Sequence, residues 1–126
     1  MLILAVAGIV VVAFAHSYMG EKNLIAPLLR RDNLPVILGS IEMTRATLRV
    51  AWHVTSLNWL GIAAVLLYLQ FNTTHLEQVV LWATCGMFAA SGVVAIIAGR
   101  GKHLAWIPFL VVAVMTAMAA VQRLGG

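Results

Sequence analysis

The chain is poor in charge, in cysteine and in proline, and each shortage removes a class of protein. Charged residues make up 10% of the 126 positions, four acidic and eight basic, against roughly 25% in an ordinary soluble domain. Hydrophobic residues reach 63%, more apolar surface than a soluble fold of this size can hide. A soluble domain is thereby excluded, and a bilayer-embedded one is expected. The single cysteine, Cys85, rules out an intramolecular disulfide. Only three prolines occur, so long stretches are free of helix breakers. No HExxH, CxxC, GxSxG, Walker loop or dinucleotide fingerprint is present, and the catalysis those motifs carry is not expected. The formal charge of +4 could suit nucleic acid, but the basic residues cluster at the ends of apolar runs, which favours a membrane surface instead.

What the chain does have is four apolar runs. They predict an all-α integral membrane protein of one domain, with four transmembrane helices in an up-down bundle at about 2–19, 48–71, 75–98 and 104–121. Gly20 reads as the C-cap of the first span. Residues 20–47 form a cytoplasmic loop and amphipathic segment in which Leu24, Ile25, Leu28 and Leu29 interleave with charges, and Pro27 argues against one unbroken helix. Asp32-Asn33 before Pro35 reads as a helix start, giving 37 residues to Phe71. That is about 55 Å of helix, far beyond the ~30 Å apolar layer, so its N-terminal part is expected to project along the surface. Thr74 and Glu77 fit a capping box. Ser91, Ala95 and Gly99 repeat at four-residue spacing, a face suited to close helix approach and open to a homodimer or another membrane-protein partner. Ala13-Phe14-Ala15 mimics a signal-peptidase site that would free His16 as a copper-chelating N-terminus, but no Lys or Arg precedes the run, and a retained anchor is expected.

Charge enters one span. At helical steps of three and four, Glu42, Arg45, Arg49, His53 and Ser56 share a face, and an ionisable face running into a span is costly unless it looks inward. His53 lies about 27 Å of helix from Phe71, and His16 lies one turn from the cytoplasmic end of the first span. The two histidines therefore fall at similar depth, with Glu21 nearby. The candidate ligand-binding residues are His16, Glu21, Glu42, Arg45, Arg49 and His53, forming a polar pocket at the cytoplasmic leaflet.

Three functional readings compete with a structural one. His16 and His53 could ligate a b-type haem between facing helices, or with Glu21 a transition metal, making a membrane redox protein. Arg45, Arg49 and His53 could hold a lipid headgroup, a quinone or a small anion in an accessory binding module. Glu21, Glu42 and His53 could relay protons in a small transporter subunit, although hydroxyls alone continue the path outward. Structurally, the arginines need only snorkel to headgroups. Dispersed methionines read as core filling, and Trp52, Trp59, Trp82 and Trp106 as interfacial belts.

Lys22, Arg30, Arg31, Arg45, Arg49, Arg100 and Lys102 stand on one side of the expected membrane and Arg123 on the other. Seven against one predicts a bacterial-type inner-membrane protein with both termini outside the cytoplasm. Reporter fusions are expected to place Arg31 and Arg100 in the cytoplasm and Gly126 outside; a cytoplasmic C-terminus would overturn the orientation.

Overall fold

The computed structural model describes residues 1–37, 39–102, 104 and 106–124; His103 of the basic turn and Gly126 at the C-terminus lie outside the described residues. It is all-helical. Helix α1 (Leu2–Gly20) continues through a π turn (Glu21–Ile25) into α2 (Ala26–Leu29). Then come α3 (Ile41–Phe71), α4 (Leu76–Gly99) and α5 (Trp106–Gln122). Three helices, Leu2–Leu29, Ile41–Phe71 and Leu76–Gly99, are long and apolar enough to cross a membrane. α5 is apolar but has 17 residues, about 25 Å of helix.

The first connection differs from the sequence reading. Gly20 is helical (φ −65°, ψ −44°) and caps nothing. Its role is contact: a Cβ there would overlap the Trp52 ring. Pro27 does not end the helix. Proline lacks an N–H and its ring crowds the carbonyl four residues back; here the turn just before it is widened, with the Ala26 N–H reaching the Glu21 carbonyl, which is how π turns absorb a local misfit.

α3 also starts later than Pro35. Residues 31–37 are non-helical, Gly39 takes φ +82°, and Ser40 is the N-cap, its Oγ accepting from the Met43 N–H at 3.1 Å. The Thr44 hydroxyl donates to the Pro35 carbonyl at 2.5 Å and pins this segment to the helix. The surface extension is thus shortened to roughly two turns, and Thr74 caps nothing either. Its N–H and hydroxyl both bond Asn72 Oδ1 in an Asx turn, while Glu77 pairs with Arg123, just past the end of α5.

Each helix packs on its neighbour in sequence. α1 lies on α3, α3 on α4, and α4 on α5; among the described residues no other pair of these helices shares more than a marginal contact. The result is an up-down row of four helices, and among the described residues no packed contact joins α1 to α5. Close approach depends on small residues. Gly61 admits Met87, and Gly92 admits Leu110. Ser91, Ala95 and Gly99 are buried within this row, so the small-residue face that suggested a homodimer is already covered by the chain itself.

Gly20→Val is expected to force Trp52 off α1. Overpacking of this kind costs about 1–3 kcal/mol, so the melting temperature in detergent should fall measurably, while Gly8→Val, where a Cβ meets nothing within 4 Å, should leave it unchanged.

Candidate functional site

The α1–α3 interface carries a connected polar string. Ser17 Oγ lies 2.5 Å from His53 Nδ1, and His53 Nε2 lies 3.2 Å from Glu21 Oε2. The other Glu21 oxygen accepts from Arg49 Nη2 at 2.7 Å. With a neutral imidazole, the consistent proton order is Ser17 O–H to Nδ1 and Nε2–H to Glu21. One helical turn deeper, His16 Nδ1 and Ser56 Oγ are 3.0 Å apart. The His16 ring stacks on Trp52 (centroids 4.1 Å, 9°) and meets Trp59 edge-on at 4.9 Å. The Trp52 N–H donates to the His16 carbonyl at 3.0 Å. Trp52 and Trp59 are therefore structural partners of the site.

The helices position these groups by register. Ser17 and Glu21 are four residues apart on α1 and its π-turn extension, as are Arg49 and His53 on α3, so each pair shares a face. Ser17 and Ser56 stand apart from most helical hydroxyls. Thr47, Thr55, Thr84, Ser91 and Thr116 all bond the carbonyl four residues earlier, the ordinary fate of such side chains. Ser17 and Ser56 instead reach across to histidines.

Of the six residues expected from sequence, His16, Glu21, Arg49 and His53 come together. Arg45 and Glu42 do not join them. Arg45 turns to the segment before α3, donating to the Arg31 carbonyl at 3.2 Å and lying 3.4 Å from Asp32. Glu42 is 77% exposed and comes only within 3.9 Å of Arg45. Sequence reasoning missed Ser17 and the structural use of Trp52; the available signal was Ser17's four-residue spacing to Glu21, on the turn that also carries His16.

Two hollows flank His53. One of about 390 Å³ is lined by Phe14, Ser17, Tyr18, Glu21, Lys22 and His53. The other, about 200 Å³, runs from Ser17, His53 and Ser56 to Leu57, Leu60 and Val94, between α1, α3 and α4. Polar groups thus sit at the head of an apolar groove.

This geometry narrows the chemistry. A bis-histidine haem would hold its two helices apart across the macrocycle, yet α1 and α3 touch directly through the Ser17–His53 and His16–Ser56 contacts, and His16 is stacked flat on Trp52. The residues do not fit a haem. Among the described residues no three His, Cys, Asp or Glu side chains are grouped so as to hold a metal ion. The order Ser17–His53–Glu21 matches a nucleophile relay, but Ser17 lies inside α1, where helix bonds occupy the neighbouring N–H groups an oxyanion would need. The arrangement suits hydrogen bonding to a bound head group. The hydroxyls of Thr84, Ser91 and Thr116, the outward continuation offered for a proton path, donate to carbonyls of their own helices. No family model matches the sequence, and neither a curated protein nor a solved structure shows significant similarity to it.

Glu21 is 30% exposed and holds both Arg49 and His53, whereas Glu42 holds nothing closely. Glu21→Ala is expected to lower stability by about 1–3 kcal/mol, read as a melting shift in detergent. Glu42→Ala should be silent. Equal shifts would contradict an inward-facing network.

Proposed function

We propose that this chain is a small polytopic protein of a bacterial-type inner membrane, crossing it four times with both termini outside the cytoplasm, and that it serves as an accessory module binding a lipid-soluble amphiphile at the cytoplasmic leaflet. Three long apolar helices support the membrane reading. For α5, the turn at Leu104, whose carbonyl accepts from the Ile107 N–H, extends a helix that is otherwise just short of the apolar layer. The basic bias of the turns supports the orientation.

The observation that carries the binding role is the Ser17–His53–Glu21–Arg49 string at the mouth of the α1–α3–α4 groove. Its charges are paired within the chain, so it does not demand a charged ligand. A hydroxyl donor, an imidazole that can donate or accept, and an apolar slot beyond them match a neutral head with carbonyl or hydroxyl groups and an apolar tail. A quinone or a neutral lipid head has this chemistry. Intramembrane ionisable groups held in this way are functional by default.

Trp52 and Trp59 report on the site. Titration of the detergent-solubilised chain with decylubiquinone is expected to quench tryptophan emission saturably. Ser17→Ala and His53→Gln should each weaken binding about tenfold, the worth of one good hydrogen bond. Non-saturable quenching, or the same saturation in both variants, would reject the reading.

A further inference from the structure

The basic stripe divides into two places with different chemistry. Arg49 faces the His53 string through Glu21, and it also lines a separate hollow of about 420 Å³ with Ala26, Leu29, Arg30 and Arg45. This hollow sits where α2 ends and α3 begins, at the depth the proposed topology gives to the headgroup layer. Three arginines line it. Arg49 commits Nη2 to Glu21 and Arg45 commits Nη2 to Arg31 and Asp32, while each guanidinium carries five N–H donors. Arg30 makes no side-chain bond among the described residues. The Arg45 Nε–H is buried without an acceptor. Asp32, Arg45's nearest carboxylate, is almost fully exposed, and an exposed pair at 3.4 Å is a weak competitor for the arginine.

We propose that Arg30, Arg45 and Arg49 form a binding site for a phosphate group, carried by a phospholipid head or free in solution. Planar guanidinium forks match phosphate oxygens in pairs. Of the carboxylates near them, Asp32 and Glu42 are exposed and no closer than 3.4 and 3.9 Å to Arg45, and Glu21 alone makes a close pair, with Arg49. The apolar walls of Ala26 and Leu29 suit the glycerol end of a lipid that enters from the bilayer side. The site takes its depth from the proposed membrane topology, but it does not depend on what His53 binds.

Native mass spectrometry of the full chain in detergent, with phosphatidylglycerol and the phosphate-free diacylglycerol added together, tests this directly. A thermal-shift titration with sodium phosphate at constant ionic strength forms the second arm. Retention of phosphatidylglycerol over diacylglycerol identifies a lipid phosphate; stabilisation by inorganic phosphate without lipid preference identifies a soluble one. In either case Arg30→Gln, which removes no side-chain bond among the described residues, should weaken binding about tenfold. Arg45→Gln should do the same, and Lys102→Gln should not. Absence of both effects, or binding unaltered by Arg30→Gln, would overturn the proposal. Decylubiquinone quenching in the Arg30→Gln protein separates failure of this site from failure of the His53 site.

Discussion

The Glu21 carboxylate, gripped by Arg49 on one oxygen and His53 on the other, is the contact from which the functional half of this molecule follows. A carboxylate at the edge of an apolar layer is tolerable only when paired and hydrogen-bonded. Both of its partners come from α3, so satisfying it docks the end of α1 on that helix. Docking in turn brings Ser17 to His53 and lays His16 on Trp52. Gly20 permits that approach because it has no side chain. The π turn that follows carries Glu21 itself and lets the helix pass Pro27 without losing its direction.

The open row of helices sets where a ligand fits. A closed bundle would bury the α1–α3 seam on all sides. Here, among the described residues, α1 packs mainly on α3, and Ala13 is its one buried residue. The groove beside His53 therefore stays open on one side, and α4 contributes Val94 as a back wall. At the opposite end of the row the Glu77–Arg123 pair and the Gln78 bond to the Ala120 carbonyl tie α4 to α5. The two ends are built differently: one a clasp, the other a cleft.

Much of this was readable in the sequence. Apolar run lengths gave the helices, and helix rise alone placed His16 and His53 at one depth, because residues per ångström hardly vary within a span. Local signals were less dependable. Asp32-Asn33-Pro35 looked like a helix start, but Gly39-Ser40 supplied the positive φ and the cap, so the later signal won. Glu77 looked like a capping residue, but Arg123, just past α5, outcompeted the backbone. Gly20 looked like a stop and was a contact. Ser17 was invisible because serines on helices usually bond their own backbone, and only tertiary placement shows that this one does not. The α4 small-residue face was read correctly as a packing surface, but its partners are α3 and α5.

Photo-crosslinking in a bilayer with a quinone bearing a diazirine on its tail, followed by peptide mapping, addresses the inward-facing site most directly. Labels concentrated on Phe14, Leu57, Leu60 and Val94, and lost in His53→Gln, are expected. Labels confined to outward residues such as Val11, Ile97 and Met115, unchanged by that substitution, would contradict it.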